Sequence, residues 1–427
     1  MTRMTRAVWP MLLFVVGIVV GGSAAAQDDA GTARPTPKGA DLVLLEEIRV
    51  LARRMTVLRE TSPALDPPPV AVRATQDLIR IAMEIRGRSM LPAEQLAARD
   101  RAWADLGFPR PDVPTSALTH LAGDIAGVGL DAAGNRLLVD VDRLTDEDFF
   151  IEQPNDPTIA LLLATGVRPD EPTMVHALMH LVQHQRGRTV GETTTDALLA
   201  AAALEEGEAN LVAVMYLFKA MGLQRNILAM GYTPDQALAG ALMPTGFEGA
   251  PELDRQILNF VYMDGFEALS WIWQAAGWEG VDRFIGRSRA THDLLHMDRP
   301  PARTVLPEPV LPELPAGYTV RDRDSLGELG IVMLVNAMTG KENLGPQAGD
   351  GWLADRVLRL ETDRGGNGVT VWVSRWRDEK QAEEFLQLYR RGPEPATGLD
   401  RTSRRTGSEV EILVIPSSLR PPEPSGE

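Results

Sequence analysis

The segment Met174–Gln185, MVHALMHLVQHQ, holds three of the six histidines of the chain within nine residues. We predict that it belongs to a helix running from about Glu171 to Arg186. On a helix, His176 and His180 stand about one turn apart, which points both imidazoles to one face and suits a single tetrahedral zinc ion. His184 lies eight residues beyond His176, roughly 12 Å along a helix axis, and is therefore predicted to have a different role.

A second helix, predicted over about Thr193–Ala220, supplies candidates for a third ligand in the segment DALLAAAALEEGEANL. These candidates are Glu205, Glu206 and Glu208. A carboxylate buried in such an apolar helix is costly without a partner, and a cation held by the preceding helix is such a partner. We predict Glu206 as the ligand, because Gly207 directly after it permits the two helices to approach closely. Asn210 follows one turn later and is predicted to orient a ligand.

These two segments resemble exported bacterial metallopeptidase-like proteins of the gluzincin type. The pattern of that family is His-Glu-x-x-His-Ala-Leu-Gln-Asp-Gln, followed downstream by Glu-Gly-Glu-Ala. The resemblance implies a helical zincin-like core and a zinc cofactor held by His176, His180 and Glu206. On the same pattern, Gln183 and Gln185 match the two glutamines of the family. Without the resemblance, the histidines would read as ordinary polar residues on a half-buried helix.

Further segments extend the resemblance over about 72–390. Gly127–Val141 is predicted to form a β-hairpin, similar to a hairpin of the family that carries a tyrosine where this chain has Leu130. The segments NFVYMDGFEALSWIWQAAGW, which contains Tyr262, and DLLH, which ends at His296, are also similar. Tyr262 and His296 are therefore candidates for cleft residues that stabilise an oxyanion, with ordinary packing as the alternative.

One position departs from the family pattern, because Ala177 stands where the family has its catalytic glutamate. That glutamate is the general base of such enzymes, and general-base catalysis typically contributes about 10²–10⁴-fold. A methyl group accepts no proton, so no catalytic residue is assigned, and the prediction is an impaired pseudo-peptidase that retains a metal site. Two alternatives stay open: an active zinc hydrolase with another general base, and a metal-free structural or peptide-binding protein on the same fold.

The N-terminal sequence and the net charge predict where the protein is located and which classes of partner it binds. Residues 1–26 are predicted to be a signal peptide, with Arg3 and Arg6 before an apolar run and Ala24–Ala26 as the cleavage pattern. Export to the periplasm or the medium is therefore predicted, with an uncleaved anchor as the alternative. The formal charge of −16 repels nucleic acid and anionic membranes. The expected partner is instead a peptide or protein ligand in the cleft.

The predicted fold class is α+β, mainly α, with the hairpin before the histidine helix and a small C-terminal α+β unit. In that unit Arg356–Glu361 and Val369–Trp376 are predicted to be paired strands. Glu379–Arg390 is predicted to be a helix, and Val410–Ile415 another strand. The predicted segments are a signal peptide 1–26, a disordered lead-in 27–40, a mainly helical metallopeptidase-like domain 41–298, a proline-rich strap 299–317, the α+β unit 318–416 and a disordered tail 417–427.

Overall fold

The computed structural model of the chain describes residues 39–61, 70–72, 92–108, 128–131, 136–139, 166–168, 170–186, 193–220, 222, 252–288, 290–299, 306–307, 309–362 and 368–419. The predicted signal peptide, and most of the predicted lead-in and tail, lie outside these residues. Where it is described, the chain is an α+β protein that is mainly helical, which confirms the predicted class.

The described residues divide between two compact units. Unit 1 draws its residues from 1–88, 115–189 and 203–286, and unit 2 draws its residues from 89–114, 190–202 and 287–427. The first described helix begins at Gly39, so the last two residues of the predicted lead-in are helical. Likewise, Ser417–Leu419 at the start of the predicted tail form a 3₁₀ turn. The other domain bounds stay predictions.

The described helices are α1 (Gly39–Arg59), α2 (Ala93–Leu106), α3 (Asp170–Gln185), α4 (Thr195–Ala220), α5 (Glu252–Asn259), α6 (Gly265–Arg287), α7 (Thr291–Leu295), α8 (Gly327–Thr339), α9 (Leu344–Gly349) and α10 (Glu379–Tyr389). The described strands are β1 (Val70–Val72), β2 (Val128–Asp131), β3 (Arg136–Val139), β4 (Tyr318–Asp324), β5 (Trp352–Thr362), β6 (Val369–Trp376), β7 (Leu399–Thr406) and β8 (Glu409–Pro416). None of these helices combines the length and the apolar character needed to cross a membrane.

A three-stranded sheet in unit 1 supports the histidine helix. Its strand order is β1-β3-β2, with β2 and β3 antiparallel and β1 parallel to β3. The predicted hairpin is therefore confirmed, and Leu130 pairs with Leu137 across it. Leu137 and Val139 of β3 are fully buried, and α3 packs against both β2 and β3. The hairpin thus lies directly against the helix that carries His176 and His180.

The later helices of unit 1 contain two local irregularities. A π-helical turn, Phe260–Asp264, joins α5 to α6. Inside α6, Gly277 has a φ of 61°, which kinks the helix and which a glycine adopts without steric cost. The next residue, Trp278, is buried, and its indole nitrogen donates to the carbonyl oxygen of Leu58 at 2.7 Å. This bond fastens the end of α1 to α6.

Unit 2 is built on a five-stranded antiparallel sheet in the order β4-β5-β6-β8-β7. The strands and the helix predicted for the C-terminal unit are confirmed as parts of β5, β6, β8 and α10. Phe385 and Tyr389 of α10 pack their rings on Trp372, and Phe385 also stacks on Trp376. This aromatic group is buried and forms the core between helix and sheet. The two edge strands, β4 and β7, are absent from the sequence prediction.

Candidate metal centre

His176 and His180 of α3 and Glu206 of α4 come together inside unit 1. His176 Nε2 lies 2.8 Å from His180 Nε2 and 3.2 Å from Glu206 Oε2, and His180 Nε2 lies 3.6 Å from that oxygen. All three residues are buried, with no more than 4% of their surface exposed. The structure thus brings the three predicted ligands to one point, and their binding of a metal stays a prediction.

Gln183 determines which ring nitrogen of His180 carries the hydrogen. Its amide nitrogen donates to the carbonyl oxygen of Glu205 and to Glu208 Oε2, both at 2.9 Å. Since both partners are acceptors, the amide orientation is fixed, and Gln183 Oε1 faces His180 Nδ1 at 2.7 Å. An amide oxygen only accepts, so Nδ1 of His180 carries the hydrogen. Nε2 of the neutral ring therefore presents a lone pair to the centre.

Glu208, the partner of Gln183, is held in turn by Arg59 of α1. Arg59 Nε donates to Glu208 Oε1 at 2.7 Å, and both side chains are almost completely buried. The same guanidinium pairs with Asp282 of α6 and lies 4.2 Å from the ring centre of Trp278. Burial alone would lower the pKa of Arg59, but Glu208 and Asp282 outweigh it and raise that pKa. A chain of charged and hydrogen-bonded side chains therefore runs from Asp282 of α6 through Arg59 of α1 and Glu208 of α4 to Gln183 of the histidine helix.

Gly207 and Gly265 let α4 and α6 cross with their backbones in contact beside Glu206. A Cβ added at Gly207 would lie 2.9 Å from the backbone nitrogen of Phe266, and one added at Gly265 would lie 2.8 Å from the carbonyl carbon of Ala203. Real Cβ atoms do not approach backbone so closely. The close approach that Gly207 permits is therefore to α6, and not, as the sequence predicts, to α3.

The electrostatics of the centre favour ligands in their metal-binding forms. Burial and the neighbouring His180 lower the pKa of His176, against the opposing effects of Glu206 and Asn210. Burial alone would raise the pKa of Glu206, but the two imidazoles outweigh it and lower that pKa. At neutral pH the centre thus offers a neutral His176 and an ionised Glu206, the states that bind metal. Asn210, predicted to orient a ligand, does lie against His176.

The ligand types of the centre are those of a zinc site, and two of its three ligand separations are close to those around tetrahedral zinc, whereas the separation between the histidines is shorter. With zinc–ligand bonds of about 2.0–2.2 Å, tetrahedral ligand atoms stand roughly 3.3–3.6 Å apart, and the observed separations run from 2.8 to 3.6 Å. Glu206 Oε2 is buried and forms no well-oriented hydrogen bond among the described residues, although His176 Nε2 lies 3.2 Å from it; buried carboxylate oxygens normally have such a bond. A cation bound between the three side chains would supply a partner for that oxygen.

Four further residues singled out from the sequence are not members of this group of three. Ala177, in the general-base position, is fully buried. His184 is half-exposed and lies outside the cluster. Tyr262 is buried in the π-helical turn, where its carbonyl oxygen accepts from the amide of Asn210 at 3.4 Å. His296 belongs to unit 2, where its Nε2 lies 2.7 Å from Glu328 Oε1.

The sequence prediction missed the supports of the centre. Arg59 is separated from Glu208 by 149 residues, and no local pattern connects two residues so distant in sequence. It also missed Glu328 as the partner of His296. One signal was available there, because His292 and His296 repeat the four-residue spacing of His176 and His180.

Comparison with known proteins gives one match. Residues 316–417 match the model of a domain of unknown function, DUF8575. The matched residues span the whole five-stranded sheet of unit 2 and amount to about a quarter of the chain. No curated protein and no solved structure matches the chain.

Proposed function

We propose that this protein is an exported zinc-metallopeptidase-like protein that holds zinc through His176, His180 and Glu206 and binds a peptide or protein segment without cutting it. The helical part of unit 1 is, on this proposal, a zincin-like core of the gluzincin type. The observation that carries the proposal is the convergence of these three buried side chains next to Ala177. Bound zinc supplies a Lewis acid at this point.

Two observations favour binding over hydrolysis. Ala177 puts a methyl group where the family has its proton acceptor, and Glu208, a nearby carboxylate, is occupied by Arg59 and Gln183. In addition, the three ligands are almost completely enclosed. Three protein ligands leave a fourth position on zinc, and the burial of all three side chains restricts the access of water and substrate to that position. The chain thus keeps the ligands of the family and lacks its base.

The metal content of the purified mature protein tests the first half of the proposal. We expect His180→Ala to lower the zinc content by one equivalent relative to the native chain, measured by elemental analysis after removal of loose metal. His184→Ala is the matched control, because it removes a half-exposed histidine from the same helix. Equal zinc in the native chain and His180→Ala would contradict the metal centre.

Proteolysis tests the second half. We expect negligible cleavage of casein by the zinc-loaded native chain. Robust cleavage that a chelator abolishes would overturn the pseudo-peptidase proposal and leave the metal centre in place. Ala177→Glu introduces the missing base at a fully buried position, so its folding is checked by circular dichroism first. Cleavage by the folded variant supports both the family resemblance and the ligand set.

A further inference from the structure

A second group of similar composition lies within unit 2 and consists of His292, His296 and Glu328, here called the second cluster. His292 lies on the short helix α7, His296 follows directly after it, and Glu328 lies in the first turn of α8. Each of the two groups thus contains one His-x-x-x-His pair, His176/His180 in unit 1 and His292/His296 in unit 2. Each pair faces one glutamate from another helix, and each group lies within a single unit.

The second cluster is compact and mostly enclosed. His292 Nδ1 lies 2.6 Å from Glu328 Oε2, and His296 Nε2 lies 2.7 Å from Glu328 Oε1. One potential ligand atom from each residue lies within 4.8 Å of the others. The side chains of His292 and Glu328 are 8% and 5% exposed, whereas that of His296 is 19% exposed. His296 therefore marks the side from which an ion and water reach the group.

The elements that present the three side chains are fastened to each other independently of the cluster. Thr291, next to His292, accepts a hydrogen bond from the backbone nitrogen of Leu329, next to Glu328, at 3.2 Å. The ring of Trp352 lies against His292, with 6.1 Å between the ring centres. The positions of His292 and Glu328 are thus set by their neighbours, and such preorganisation by packing and neighbouring hydrogen bonds is what a metal site needs.

Hydrogen bonding alone is the competing explanation, because each oxygen of Glu328 already has one imidazole partner. Hydrogen bonds account for the two short distances, and the residue types fit a cation. Two imidazoles and a carboxylate are a zinc ligand set, and catalytic and structural zinc sites commonly use three or four such groups. The two imidazole rings also lie side by side, with 4.8 Å between their centres, although His296 follows the helix instead of belonging to it.

We propose that His292, His296 and Glu328 form a second zinc site, independent of the centre in unit 1. A zinc ion at this site takes the place of the two hydrogens that the imidazoles share with Glu328, each hydrogen moving to the other nitrogen of its ring, and ties α7 to α8. Three protein ligands leave a fourth position on zinc, and water can fill it from the side of the partly exposed His296. The native chain accordingly binds two zinc equivalents, one in each unit.

The test uses the full mature chain in the His180→Ala background, where the second cluster is the remaining proposed site. We expect His180→Ala to retain one zinc equivalent, and His180→Ala/Glu328→Gln to retain none. Glutamine preserves the size of the side chain and one hydrogen-bond acceptor, so it separates loss of the metal from loss of packing. His180→Ala/His296→Asn repeats the test at the most exposed of the three ligands.

Cobalt substitution gives an independent measurement, since tetrahedral cobalt absorbs visible light strongly. We expect that absorption in cobalt-loaded His180→Ala and its loss in both double variants. Equal metal content in His180→Ala and the folded double variants, or a metal-free His180→Ala, would overturn the second site. The difference between the native chain and His180→Ala reports the centre in unit 1, so failure of one site is distinguished from failure of the other.

Discussion

At the scale of single residues, Gln183 connects the proposed metal centre to the buried charges behind it. Its side-chain oxygen accepts a hydrogen bond from His180 Nδ1, and its side-chain nitrogen donates to Glu208. The charge of Glu208 is paired with that of Arg59. The histidine pair is readable from the sequence because four-residue spacing defines one helix face. The Arg59–Glu208 pair is not readable, because tertiary structure alone brings these residues together.

Replacing Gln183 measures the value of this support. Gln183→Leu removes the acceptor for His180 Nδ1 and leaves one oxygen of the buried Glu208 without its amide donor. Mutation of a residue that orients a metal ligand typically lowers metal affinity by about 10–100-fold. We expect Gln183→Leu to lower zinc affinity by a factor of that size. Competition with a chromophoric chelator measures it, with His184→Ala as the control. Equal affinity in the two variants would show that Gln183 has no orienting role.

Asp196 gives the stability of unit 2 a pH dependence. It is buried at the start of α4, where the backbone nitrogen and the hydroxyl of Thr291 donate to it at 2.9 and 2.6 Å. Burial nevertheless raises the pKa of Asp196 from 3.8 to about 7. Between these values the folded chain holds a proton that the unfolded chain releases. Protonated Asp196 therefore stabilises the folded state fully below about pH 4, and this contribution to the free energy of unfolding is lost as the pH rises toward about pH 7.

Asp196→Asn removes this titration. We expect the native chain to lose stability relative to the variant as the pH rises from about 5 to about 7, by at most about 1.4 kcal/mol per pH unit. Urea unfolding of both chains at the two pH values measures the difference. A constant difference between the chains at the two pH values would contradict a raised pKa for Asp196.

At the scale of elements, the crossing of α4 and α6 positions Glu206. Gly207→Ala forces a methyl group against the backbone of Gly265 and Phe266. Overpacking of this kind typically costs about 1–3 kcal/mol, and because it involves backbone we expect at least that loss in the free energy of unfolding, together with weaker zinc binding. Gly286→Ala, near the end of α6, is the matched control, because a Cβ there meets nothing within 4 Å. Chemical unfolding measures the free energy of unfolding of both variants. Equal values for Gly207→Ala and Gly286→Ala would refute a tight crossing of α4 and α6.

The sheet of unit 2 shows which elements a sequence pattern reveals. The predicted strands in β5, β6 and β8 contain apolar residues that alternate or run together, whereas the unpredicted strands β4 and β7 are polar and lie at the two edges. In β4, Asp322 is buried because Arg99 of α2 donates to it at 3.0 Å across 223 residues of sequence. The arginines of β7 suit an edge strand, which charges protect from pairing with other chains. Hydrophobic periodicity detects neither arrangement.

At the scale of the whole molecule, the two proposed metal sites would make thermal stability depend on zinc. A ligand that binds only the folded chain stabilises it by about 2.7 kcal/mol at a concentration 100 times its Kd. We expect a chelator to lower the Tm of the native chain in calorimetry, and to leave the Tm of folded His180→Ala/Glu328→Gln unchanged. A native Tm that does not respond to chelator or to added zinc would argue against bound metal in either unit.

The position of the ligands on separate helices has one more consequence for a chain that contains no cysteine. The glutamate follows the nearer histidine by 26 residues in unit 1 and by 32 residues in unit 2. A cross-link that closes a loop of this length removes about 3–4 kcal/mol of chain entropy from the unfolded state. Zinc bound at the two clusters would therefore cross-link the chain at two places, as two disulfides would. Unlike disulfides, these cross-links would form without an oxidant, and the zinc supply around the protein would set how long it survives.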